Sequence, residues 1–192
     1  MSLKSCFIVT GPIQSGKTYF MSQLINEAKD QYPMIGFTEK CLYKGKDRIG
    51  YDLYLNLNGS HYQFPFVRIK ERITLNDPNL FQFDNETITN VKKLLENKTI
   101  VEKPPLLYFD EYGKIESKGK GLFSAMKTII NQIDFQNVRF STIFATRKQN
   151  LDVLLKNIGN DFNLKVSPSM LSLPCDEKTR RKFMDDIINS LR

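Results

Sequence analysis

Histidine and cysteine are scarce in this 192-residue chain: one histidine, His61, and three scattered cysteines, Cys6, Cys41 and Cys175, with no CxxC pair. That scarcity argues against a Cys/His metal site and a disulfide framework, and favours reduced thiols in a cytosolic setting. No apolar run approaches the roughly 20 residues of a membrane span. The N-terminal residues lead into an apolar strand with no signal-peptide cleavage pattern. A cytoplasmic location without a membrane partner is therefore expected. Internal repeats and low-complexity stretches are also missing.

What is present is the composition of an ordinary globular protein, 41% hydrophobic and 26% charged. The length suits one domain spanning 1–192 with a substantial core. The formal net charge is +7, which raises the question of a nucleic-acid partner. The bases are spread along the chain, however, and the densest group, "KTRRK" at 178–182, stands among Asp176, Glu177, Asp185 and Asp186. A solvated basic surface, with some cations facing a nucleotide's phosphates, is the preferred reading.

Periodicity gives the element order. "SCFIVT" (5–10) reads as a buried strand, followed by a helix over 17–29 with Tyr19, Phe20, Leu24 and Ile25 on one face. Strands over 34–43 and 48–57 form a hairpin about a turn at 44–47, Asn58-Gly59 marks another turn, and "HYQFPFVRI" permits one more short strand. Asp77-Pro78 marks a turn, and a helix over 85–97 takes Asn85 as its cap. Next come a helix over 121–133, a strand over 138–146, a helix over 149–158, a short strand over 163–167 and a helix over 176–191. Alternating strands and helices indicate an α/β fold with a mostly parallel sheet covered on both faces.

Between the first strand and helix stands "GPIQSGKT", with Gly11, Gly16, Lys17 and Thr18 at the GxxxxGK[ST] spacing. Such a loop works through its backbone: glycines permit a compact turn whose N–H groups point inward, making an anion nest at a helix N-terminus. The predicted phosphate-contacting set is Gly11, Pro12, Ile13, Gln14, Ser15, Gly16, Lys17, Thr18 and Tyr19. Lys17 would reach the β and γ phosphates and Thr18 would ligate Mg²⁺. As a lysine at a loop tip, Lys17 is expected to pack against little.

The second part is "LLYFDEYG" (106–113), an apolar strand ending in a carboxylate pair. In an open α/β sheet the C-terminal strand edge is where ligands bind. Asp110 is the predicted second metal ligand, opposite Thr18, and Glu111, pointing in a different direction, is the candidate base for the attacking water. The strand over 138–146 is expected between the loop strand and the Asp110 strand. Its tip would bring Thr146 near the γ phosphate and Arg147 toward charge developing in the transition state; a surface arginine beginning the next helix is an equal reading of Arg147.

With both motifs in place, the chain resembles the small P-loop nucleoside-triphosphatase family that includes the thermophilic and the human cancer-related nucleoside-triphosphatases. "TGPIQSGKT", "GFTEK" (36–40), "RIGYDL" (48–53) and "DEYGKIE" (110–116) carry the resemblance in order and spacing. It implies a three-layer P-loop sandwich with a mostly parallel central sheet and an added β-hairpin. It also implies hydrolysis of several nucleoside triphosphates, ATP and GTP among them, to diphosphate and phosphate with Mg²⁺. Departures from the family pattern include Tyr112, Ser117, Cys41 and Thr179-Arg180; Arg68 resembles an arginine after the family's hairpin and receives no role.

Two rivals share the loop. A nucleoside or nucleotide kinase would close an arginine-rich lid, and the lid candidate here, "GKIESKGK" (113–120), has lysines and no arginine. A nucleotide-dependent nucleic-acid-binding module would explain the charge, but the fourteen phenylalanines fall mostly in core patterns. For base choice, the nearest string to a guanine-reading NKxD is "ENKTI", where Ile100 cannot accept a hydrogen bond. Weak base discrimination is expected, and a base pocket, if one exists, is expected near Thr179 and Arg180.

Overall fold

The computed structural model describes residues 4–69, 81–97 and 100–192. Its elements run β1 (Lys4–Thr10), α1 (Lys17–Ala28), β2 (Met34–Lys44), β3 (Asp47–Leu57), β4 (Ser60–Ile69), β5 (Phe81–Phe83), α2 (Asn85–Glu96), β6 (Leu106–Tyr112), α3 (Phe123–Phe135), β7 (Phe140–Thr146), α4 (Leu151–Asn160), β8 (Ser169–Ser172) and α5 (Glu177–Asn189). The Asp77-Pro78 turn and Lys98-Thr99 of the "ENKTI" string lie outside the described residues.

All eight strands join one sheet in the order β5-β4-β3-β2-β6-β7-β1-β8. From β2 through β6, β7 and β1 to β8 every pairing is parallel. From β2 outward through β3, β4 and β5 every pairing is antiparallel. The expected hairpin is thus the start of a four-stranded antiparallel wing. As expected, β7 lies between β1 and β6.

The strands of the parallel half are apolar on both faces because helices cover both. On one side Cys6, Ile8, Leu107, Phe109 and Phe144 meet Val91 and Leu95 of α2, Met126, Ile129 and Ile130 of α3, and Leu154 and Ile158 of α4. On the other, Phe7, Val9, Leu106, Tyr108, Ile143 and Ala145 meet Phe20, Met21 and Leu24 of α1 and Phe183, Met184 and Ile187 of α5. Alternation along each strand assigns these two sets, and the result is a three-layer α/β sandwich.

Two local expectations are corrected. The cap of α2 is Asp84, whose carboxylate accepts from the N–H groups of Glu86 (2.8 Å) and Thr87 (3.3 Å); Asn85 is the first helical residue. The segment 163–167 is not a strand, because Asn163 takes a φ of 51° and the Val166 N–H turns back to the Leu164 carbonyl at 2.8 Å. The last strand is β8, just after Pro168, and it pairs with β1 from Phe7↔Ser169 to Thr10↔Ser172.

Candidate active site

Strand β1 delivers the glycine loop to the C-terminal edge of the sheet, where α1 begins. Gly16, at φ 93°, occupies the capping position, which a residue with a Cβ rarely adopts. Gly11 is required for a different reason: a Cβ there would sit 2.5 Å from Ser15 Oγ and 2.6 Å from the Leu173 carbonyl oxygen. Helix α1 starts with no side-chain cap and no acidic residue in its first turn. Its leading N–H groups are thus left without a side-chain cap, the condition for an anion site. Ile13 and Tyr19, both placed in the phosphate-contacting set, are 65% and 60% exposed.

Lys17 departs from expectation. Its ammonium donates to the carbonyls of Gly11 at 3.0 Å and Pro12 at 2.7 Å, and the residue is 8% exposed. Burial pulls its pKa below the usual ammonium value, against the raising influence of Glu111 and Asp110.

The acidic pair sits on an irregularity. The β6–β7 ladder passes from Phe109↔Phe144 to Tyr112↔Thr146, so three steps on β6 match two on β7. Regular alternation would send Asp110 and Glu111 to opposite faces; this bulge re-aims them, and both line one cleft. The cleft has a volume of about 310 Å³ and is also lined by Thr18, Glu39, Lys40, Cys41 and Tyr51. Asp110 is buried, bonded to the Thr18 side chain, and its Oδ1 has no hydrogen-bond partner. Burial raises its pKa to about 7, with Glu111 adding to the rise and Thr18 and Lys17 opposing it. Glu111 is raised by burial and pulled down by Arg147 and Lys17; its Oε1 lies 3.7 Å from Arg147 Nε.

A buried carboxylate oxygen without a donor, next to a threonine hydroxyl, suits a divalent cation that also binds phosphate and water. Mg²⁺ sites are commonly built from one or two protein ligands in this way. Among the described residues no group of three or more His, Cys, Asp or Glu side chains is placed to hold an ion. Thr18 and Asp110 are the residues that would hold Mg²⁺.

Several other sequence-selected residues have different work. Thr146 is fully buried and its hydroxyl donates to the Tyr112 carbonyl at 2.8 Å, which ties β7 to β6 and leaves no proton for a phosphate. The Tyr112 hydroxyl accepts from Asn157 Nδ2 at 2.6 Å, docking α4. Arg68 pairs with Asp52 at 2.6 Å and donates to the Tyr51 carbonyl at 2.7 Å, which holds it within the antiparallel wing. Segment 113–120 is bonded to itself and to the residue preceding α3: the Glu116 carboxylate accepts from the Gly113 N–H at 3.2 Å and from the Leu122 N–H at 3.1 Å. Thr179 donates to Asp176, and Arg180 pairs with Glu177 at 3.2 Å.

The motif reading did not give Glu39 a place in the site. Burial raises its pKa well above the usual carboxylate range, reinforced by Glu111, Glu116 and Asp110 and opposed by Arg147.

A parallel α/β sheet with this loop and this carboxylate pair at one edge defines a phosphate-loop, nucleotide-binding protein. Residues 6–162 match the family described as NTPase. The chain belongs to that family and is a nucleoside-triphosphate hydrolase. Two solved structures share the fold. The human cancer-related nucleoside triphosphatase superposes with a TM-score of 0.65 at 17% identity, covering 98% of this chain and 97% of that one. THEP1 from the hyperthermophile Aquifex aeolicus gives 0.60 at 16% identity, covering 97% and 99%. No curated protein sequence matches significantly.

Proposed function

We propose that the chain is a Mg²⁺-dependent hydrolase of low base specificity, acting on ATP, GTP and other nucleoside triphosphates through Lys17, Thr18, Asp110 and Glu111. The observation that carries this reading is the partnerless Oδ1 of buried Asp110, in a carboxylate bonded to Thr18 at the start of an uncapped helix. The loop N–H groups and Lys17 bind the triphosphate and draw charge off its γ group. Thr18 and Asp110 hold Mg²⁺, which when bound supplies positive charge to the β and γ phosphates. Glu111 accepts a proton from the attacking water, and Arg147, ion-paired to Glu111, neutralises charge developing in the transition state. The fold neighbour described as a human cancer-related nucleoside triphosphatase accords with this reaction. No residue in this set reads a base.

The test is phosphate release from ATP, GTP, CTP and UTP, with and without Mg²⁺, and with an added nucleoside or nucleoside monophosphate. Release in the absence of any acceptor, dependent on Mg²⁺, is expected. Turnover seen only with an acceptor would assign a kinase, and stimulation by DNA or RNA would bring nucleic acid into the reaction.

A further inference from the structure

Glu39 is the carboxylate of the cleft to which neither the loop nor the Asp110 strand gives a task. Parallel pairing of β2 with β6 ends at Phe37↔Phe109, whose rings lie 5.2 Å apart. Glu39 follows two residues beyond Phe37, so the strand period returns it to the same side of β2. It lines the cleft with Glu111, Asp110 and Thr18. Asp110, only 3% exposed, leaves its Oδ1 without a partner among these groups. Glu111 is already ion-paired to Arg147. Among the described residues the Glu39 side chain forms neither an ion pair nor a hydrogen bond.

A water attacking phosphorus has two hydrogens, and a single base controls only one. Unless the other is held, the oxygen lone pair swings away from the line of attack. We propose that Glu39 is a water-positioning residue for the hydrolysis, accepting the second hydrogen while Glu111 takes the first. This rests on the hydrolase reading above. In the step, the water oxygen bonds to the γ phosphorus and one of its protons passes to Glu111. The bond from the γ phosphorus to the β–γ bridging oxygen breaks, and the diphosphate leaves with its electron pair. The second proton remains on the attacking oxygen, turned toward Glu39.

The test compares Glu39→Met, Glu39→Gln and Glu39→Ala with Lys17→Ala in the full chain, using ATP and Mg²⁺. Methionine keeps the length of the side chain without an acceptor, whereas glutamine keeps an acceptor oxygen. Misplacing a reacting group by an ångström costs about 100-fold. Glu39→Met and Glu39→Ala are therefore expected to lose about 10- to 100-fold in kcat, with KM within about twofold of the parent. Glu39→Gln is expected to recover to within about fivefold of the parent. A kcat within twofold of the parent for Glu39→Met, or a Glu39→Gln variant no faster than Glu39→Met, overturns the assignment. So does a loss confined to KM. Should Glu39→Met fold poorly, Glu39→Ala against Glu39→Gln makes the same comparison. Full activity in Lys17→Ala would defeat the hydrolase site itself, so the two failures are distinguishable.

Discussion

The Lys17 ammonium lies 2.7 Å from the Pro12 carbonyl oxygen, so the cation proposed to meet the γ phosphate is also a brace of its own loop. Lys17→Ala is expected to abolish hydrolysis and weaken triphosphate binding. It is also expected to lower stability measured without nucleotide by about 1–3 kcal/mol, the scale for a lost hydrogen bond to a charged group. Turnover assays and thermal melts check both halves. Unchanged turnover would remove the loop from the reaction.

Asp110 gives a prediction with a definite sign in pH. Its carboxyl titrates at about 7 in the folded chain against an ordinary 3.8, so the folded state holds the proton more tightly. Its contribution to stability is complete below the ordinary value and is lost as the pH rises through 7. Without Mg²⁺, the thermal midpoint should fall across this window, by a free energy of at most roughly 4 kcal/mol. Asp110→Asn should make the profile shallower, with the raised carboxyls of Glu39 and Glu111 supplying the slope that remains, while impairing Mg²⁺-dependent nucleotide binding. A variant with the parent's slope would show that another group titrates.

Glu111 should separate binding from turnover. Glu111→Gln keeps the size of the side chain but cannot take a proton at neutral pH. It is expected to bind the Mg²⁺–nucleotide complex normally and to turn over at least ~100-fold more slowly. Single-turnover rates beside equilibrium binding make the distinction, and near-normal turnover would assign the base elsewhere.

Base choice should be loose. Strong discrimination needs buried polar groups that the wrong base leaves unpaired. Thr179 and Arg180, placed near any base pocket by sequence reading, bond to Asp176 and Glu177. Specificity constants for ATP and GTP are expected within about tenfold of each other, or about 1.4 kcal/mol. A thousandfold preference in a competition assay would reveal a base pocket.

The loop and the place of β7 between β1 and β6 were legible: glycines at fixed offsets mark the loop, and an apolar strand ending in an acidic pair goes with an added strand beside it. The bulge that turns Asp110 and Glu111 into one cleft was not legible. It arises from how β6 matches β7, and a single strand carries no record of its partner's register. Glu39 escaped for the same reason, since only the β2–β6 ladder brings it beside that pair. β8 was displaced because "SMLS" has two polar residues in four, whereas 163–167 alternates like a strand but is broken by the positive φ of Asn163. Asp84 and Asn85 are both competent caps, and backbone geometry chose between them.

The wall behind the phosphate loop is built from outside residues 6–162, the span that matches the NTPase family. Leu173 donates its N–H to the Thr10 carbonyl at 2.8 Å, and its own carbonyl stands against Gly11. A boundary drawn at residue 162, where the family match stops, keeps every residue assigned here to phosphate, metal and water. It removes β8, bares the flank of β1 and takes away the surface on which Gly11 rests. The smallest unit expected to work as this enzyme therefore extends beyond its recognisable motifs, and a fragment cut by motif alone would carry the chemistry without the frame that aims it.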